Sequence, residues 1–163
     1  MMKLLIINNL EFAQKQQKFA DSFAASELTR LAEALALHDK NARPATIYFE
    51  LTGVRRMFSQ PGLHLHVKAE LPVICQRCLD NMTIHLDLEF DYLISDSTID
   101  ALDENDEIDW LEADNEMNLQ ELIEDELLLA MPMAPVHEEN CSKSSMQSGE
   151  NPNPFAVLKG KIK

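Results

Sequence analysis

Four side chains of metal-binding type are set off by their spacing. Cys75 and Cys78 lie in Cys75-Gln76-Arg77-Cys78, and His137 and Cys141 form a His-x-x-x-Cys pair 59 residues later. Two thiols at this spacing can form a redox couple, but that needs the first thiol at a helix N-terminus, where the dipole lowers its pKa. A strand-like alternating run follows instead. The spacing then suits a zinc knuckle, with two thiolates pointing to one side of a tight turn. A closed tetrahedral site needs two more ligands, and His137 and Cys141 are of the required types. The competing reading is an incidental Cys-x-x-Cys, with His137 capping or packing locally, and the long gap keeps it open.

Other candidates are weaker. His64, His66 and His85 share one face of a predicted hairpin; a metal site or a pH switch is conceivable, and plain exposed strand residues are the simpler expectation. The carboxylates of residues 103–116 lack the D-x-[DN]-x-[DN]-G loop of a calcium site and read as a solvated acidic loop. Four glycines, none in a G-x-G or Walker spacing, leave no phosphate-cradling loop. There is no G-x-S-x-G or H-E-x-x-H, no nucleophile–base pair and no open metal site, so the chain is expected not to be an enzyme. Zinc is the only cofactor the residues indicate.

The elements that must position these groups follow from periodicity. Leu10, Phe12, Ala13, Phe19, Ala20 and Phe23 suggest a helix over 10–24, and Leu28, Leu31, Ala32 and Leu35 a second one, with Ser26 as N-cap and its end near His38. Ile47, Phe49 and Leu51 alternate as a strand, with Gly53 marking a turn or bulge. The sharpest pattern is Leu63, Leu65, Val67, Ala69 and Leu71, followed by Ile84, Leu86, Leu88, Phe90 and Tyr92. Each run alternates with polar residues, as strands do when one face is buried and one wet. Together they predict an antiparallel hairpin with Cys75–Cys78 at its tip. Ile108, Trp110 and Leu111 could add a short strand or turn within an acidic stretch. A helix over 118–130 is expected, with Asn118 as cap and Glu121 completing a capping box, ended by Pro132 and Pro135.

The predicted fold is therefore α+β. An antiparallel β-sheet or partly open barrel would carry N-terminal helices (1–43) and one helix in the C-terminal half of a β-rich core (44–136). Residues 138–153 are expected to be flexible and 154–163 to form a tail with a small apolar element, Phe155–Leu158, all within one domain.

Charge is unevenly placed. Residues 1–77 hold ten Lys/Arg against seven Asp/Glu, and 143–163 hold four Lys against one Glu. Residues 78–142 hold twenty acids and no Lys or Arg, and the whole chain carries −14. A broad RNA-gripping surface would carry the opposite sign. The acidic block suits a basic partner, or it simply keeps the protein soluble. No run approaches 18 apolar residues, so no membrane span is expected. The start, Met1-Met2-Lys3-Leu4-Leu5-Ile6-Ile7, breaks at Asn8-Asn9, too early for a secretory signal, and three cysteines do not make a disulfide framework. The expected location is cytoplasmic.

Four blocks resemble the signature segments of the YceD proteins, also called large ribosomal RNA subunit accumulation proteins. They are Cys75–Leu79, Glu124–Pro132, Pro135-Val136-His137 and Asn153–Leu158, in the family's order, and the likeness extends from about residue 44 to 159. The resemblance implies a non-enzymatic accessory role in synthesis, processing or stability of 23S ribosomal RNA. It also implies that members are often encoded beside a small basic ribosomal protein. On that basis the expected partner is a ribosomal protein or pre-ribosomal particle of the large subunit, held by Asp103, Glu104, Asp106, Glu107 and Asp109. Arg55, Arg56, Lys68 and Arg77 are the candidate contacts to ribosomal RNA. The alternative is direct RNA binding or processing, and the net charge and lack of aromatic platforms among basic residues argue against it.

Overall fold

The computed structural model describes residues 5–36, 44–56, 59–95 and 108–141. In chain order the elements are β1 (Ile6–Ile7), α1 (Asn9–Gln14), β2 (Lys18–Ala24), α2 (Thr29–Ala36), β3 (Thr46–Arg55), β4 (Pro61–Ile74), β5 (Asn81–Ser95), β6 (Asp109–Glu112), β7 (Met117–Asn118) and α3 (Leu119–Ala130), with a 3-10 turn at Ala25–Glu27. Five strands form one sheet in the order β2-β3-β4-β5-β6, and β1 pairs with β7 in a separate ribbon. Pairing is antiparallel except between β5 and β6, which run parallel from Tyr92↔Asp109 to Ser95↔Glu112. The sheet is not closed into a barrel, and the fold is α+β.

The hairpin is the longest element, with Gly62↔Leu93 at its base and Ile74↔Asn81 next to the tip. Its inward row on β4, Leu63, Leu65, Val67, Ala69 and Leu71, is fully or almost fully buried, together with Ile47, Phe49 and Leu51 of β3. Phe12 and Ala13 of α1, Leu31 and Leu35 of α2, and Leu119, Ile123 and Leu127 of α3 belong to the same apolar cluster. Each such buried Leu or Ile contributes roughly 1.5–3 kcal/mol relative to exposure.

Three expectations are corrected. The helix over 10–24 ends at Gln14, and Lys18–Ala24 is a strand paired with β3. Phe19 and Phe23 each lie 5.7 Å from the Phe49 ring. Residues four apart share a face in a strand as well as in a helix, so their spacing did not separate the two. Ser26 is not the cap of α2: it falls in the 3-10 turn, and the helix begins at Thr29. Gly53 is neither turn nor bulge but mid-strand. A Cβ there would stand 2.4 Å from the Phe12 carbonyl oxygen, so only glycine lets α1 approach this closely.

The helix over 118–130 forms as expected, and the Asn118 side chain accepts from the Gln120 N–H at 3.1 Å. The Glu121 half of a capping box is not seen among the described residues. The expected flexible stretch from 142 on, the Phe155–Leu158 element, and Asp103, Glu104, Asp106 and Glu107 lie outside the described residues.

Candidate functional site

The tip of the hairpin is a tight turn. Cys75 N–H donates to the Asp80 carbonyl at 2.9 Å, and Leu79 N–H donates to the Cys75 carbonyl at 2.9 Å. Leu79, whose side chain is exposed, holds φ at +62°, a left-handed conformation that costs a non-glycine residue about 1–2 kcal/mol. The turn is therefore over-determined by what surrounds it.

What surrounds it is the chain beyond α3. Met131 leaves the helix in an extended conformation, ahead of Pro132. The segment then crosses the tip, where Gln76 N–H donates to the Pro135 carbonyl at 2.8 Å and the Arg77 guanidinium to the Glu139 carbonyl at 3.2 Å. This crossing brings together the four residues singled out by spacing. One ligand atom from each of Cys75, Cys78, His137 and Cys141 lies within 4.8 Å of all the others, so the group could hold a metal ion. Cys75 Sγ stands 3.5 Å from Cys141 Sγ, and Cys78 Sγ 3.5 Å from His137 Nδ1. Cys75 is buried and the other three are partly exposed.

The local electrostatics favour a thiolate here. Burial pushes the Cys75 thiol up, but backbone N–H groups of Cys78, His137 and Arg77 aimed at its sulfur, with a hydrogen bond from Cys141, bring it down to about 5. Cys78 goes the other way, to about 11: the Asp80 N–H lowers it, and burial, Cys75 and Cys141 outweigh that. Neighbouring thiols sharing one site do not all ionise readily without a cation among them.

The candidate RNA contacts are not gathered into one patch. Arg55 donates to the Gln14 carbonyl at 3.1 Å. Arg56 pairs with Asp91, and Lys68 Nζ lies 3.5 Å from Asp87. Arg77 sits at the tip, and Arg56 beyond the other end of the 14-residue strand β4, roughly 45 Å away at ~3.3 Å per residue. The histidines are likewise separate. His64 pairs with Asp91 (2.9 Å), His66 with Asp87 (2.6 Å) and His85 with Glu70 (3.4 Å), cross-strand partners on the wet face of the hairpin. They do not converge on a shared metal position.

Of the candidate partner face, Asp109 opens β6 and is exposed. Glu112, Asp114, Glu116 and Glu121 follow, also exposed, and among the described residues none of the five forms an ion pair with Lys or Arg.

Sequence reasoning missed two anchors. Glu124 is buried in α3 and caps α2 from outside it. One oxygen accepts from the N–H groups of Arg30 (2.7 Å) and Leu31 (3.0 Å), and the other binds the Arg30 guanidinium at 3.0 Å. The signal was present, because Gln120, Ile123, Glu124 and Leu127 fall on one helical stripe that is otherwise core. Asn9 is 1% exposed, donates to the Glu112 carbonyl (2.8 Å) and accepts from Asp114 N–H (2.9 Å). Nothing in its sequence context announced that.

Comparison with known proteins places these features. The family model described as Large ribosomal RNA subunit accumulation protein YceD matches residues 63–160, more than half of the chain. The Large ribosomal RNA subunit accumulation protein YceD of Haemophilus influenzae is 29% identical over 170 aligned residues, covering 94% of this chain and 92% of that protein. No solved structure is significantly similar. The chain belongs to the YceD family.

Proposed function

We propose that this YceD-family chain is a non-enzymatic accessory factor in the synthesis, processing or stability of large-subunit ribosomal RNA. It works in the cytoplasm by holding a basic ribosomal protein, or the assembly particle that carries it, on its acidic face. The observation that carries this reading is the run Asp109, Glu112, Asp114, Glu116 and Glu121, exposed and without Lys or Arg ion pairs among the described residues. A basic partner gains most from carboxylates that are not already neutralised, through faster encounter and correct register. Direct RNA binding is the weaker reading, because two of its candidate cations, Arg56 and Lys68, are held by Asp91 and Asp87. Phosphate would have to compete with those carboxylates.

The test is affinity purification from lysate at low salt, with identification of co-purifying proteins and RNA. A basic large-subunit protein or precursor particle is expected, and its loss in an Asp109→Lys, Glu112→Lys, Glu116→Lys variant of unchanged melting point. Recovery of neither, or equal capture by the variant, overturns the proposal. Purified protein titrated with large-subunit RNA fragments should show an affinity nearly independent of salt. A slope equivalent to several phosphate contacts would favour direct RNA binding instead.

A further inference from the structure

The hairpin tip carries an inference that the proposed role does not need. We infer that Cys75, Cys78, His137 and Cys141 form a closed structural zinc site that staples the segment after α3 to the tip of the β4–β5 hairpin.

Three observations support it. The donor set, three thiolates and one imidazole, is that of structural zinc sites, and the two-residue gap between Cys75 and Cys78 is that of a knuckle. The distances fit as well. Bonds of about 2.3 Å to sulfur and about 2.0–2.1 Å to nitrogen, in tetrahedral geometry, place neighbouring ligand atoms roughly 3.5–3.8 Å apart. Here the closest pairs are 3.5 Å apart and every pair is within 4.8 Å, so a shift of about 1 Å would close the shell. The outer shell is also in place. The Arg77 N–H points at Cys75 Sγ from 3.4 Å, a contact that lowers the charge on a bound thiolate. A sulfur–sulfur separation of 3.5 Å is far outside the ~2.05 Å of a disulfide, so Cys75 and Cys141 are placed as separate ligands.

Four protein ligands leave no open position, so this zinc would not activate water. Its effect would be mechanical. It would tie together residues 59 apart and hold Leu79 in its left-handed turn.

Zinc should be measured on protein purified without a histidine tag. About one zinc per chain is expected. Exchange for Co2+ should give the visible d–d bands of a tetrahedral ion with thiolate charge transfer. Stripping zinc from the wild-type chain should lower its melting point by on the order of 10 °C, and adding Zn2+ should restore it. His137→Ala should weaken zinc binding by more than the roughly tenfold to hundredfold typical of outer-shell losses, whereas His137→Cys, which makes an all-thiolate site, should keep it. Metal-free protein with no cobalt bands and a melting point insensitive to Zn2+ would overturn the inference. So would a Cys75–Cys141 disulfide in metal-free protein, or equal zinc affinity in wild type and His137→Ala.

Discussion

The acidic half of the chain is treated in two ways. On the wet face of the hairpin and beyond the first turn of α3, most carboxylates are answered from within the molecule. Asp91 has Arg56 and His64, Asp87 has His66 and Lys68, and Asp125 has the exposed Arg30 at 2.6 Å. Glu126 accepts the Tyr92 hydroxyl at 2.7 Å, which together with burial pushes the ionisation of that tyrosine up. From β6 to the first turn of α3, by contrast, the side chains of Asp109, Glu112, Glu116 and Glu121 face solvent, and it is the backbone of the stretch that is pinned, by Asn9. Charge of one sign along a sequence is therefore not a surface property until the fold has assigned partners. One part of the block serves cohesion, and the other stays available to a cation from outside.

The sharpest way to break that contrast is to remove an internal partner that is also buried. Glu124→Ala leaves the N–H groups of Arg30 and Leu31 without their acceptor, and should cost about 2–3 kcal/mol. At this chain length that is a fall of roughly 5–10 °C in melting temperature. A loss under about 0.5 kcal/mol, the range of an ordinary surface change, would mean that Glu124 does not cap α2.

Asn9→Ala probes the other region, because it frees the Glu112 carbonyl and the Asp114 N–H. Its cost should be about 1–2 kcal/mol. Amide hydrogen exchange should accelerate over 109–116 more than in β4, and uniform acceleration would show that the acidic stretch has no separate anchor.

The smallest effect belongs to Asp87, whose carboxyl is held below the usual carboxylate range, chiefly by the hydrogen bond from His66 and then by Lys68. A depressed folded pKa contributes stability above the unfolded carboxylate range, near pH 4. That contribution is lost as pH falls through the lower folded value. Asp87→Asn should therefore slightly lower the neutral part of a melting-versus-pH curve and leave its acid end little changed, so that the acid limb flattens. An identical acid limb in both proteins would dissolve the difference between the two regions at this position.

How much of this was legible in sequence depended on whether the determining contact was local. β4 and β5 were plain, because alternation over ten residues fits a half-buried strand and nothing else. The start and stop of α3 were equally plain, since Asn118 caps and Pro132 terminates within a turn of the helix. β2 was not, because Phe19 and Phe23 satisfy both periods and only pairing with β3 decides between them. The cap of α2 was misplaced onto Ser26 because the real acceptor lies 94 residues away.

The four metal-binding residues were nominated by residue type and spacing, and the acidic block by its run of like charge without Lys or Arg. Sequence determined which groups exist and which local periods they obey, since those depend on neighbours along the chain. Whether Cys75 and Cys78 meet His137 and Cys141, and which carboxylates find an internal cation, was decided by tertiary structure alone. Such meetings join residues far apart in the chain, from Lys68 and Asp87 on neighbouring strands to Arg30 and Asp125 on separate helices, and only a folded core can close those gaps.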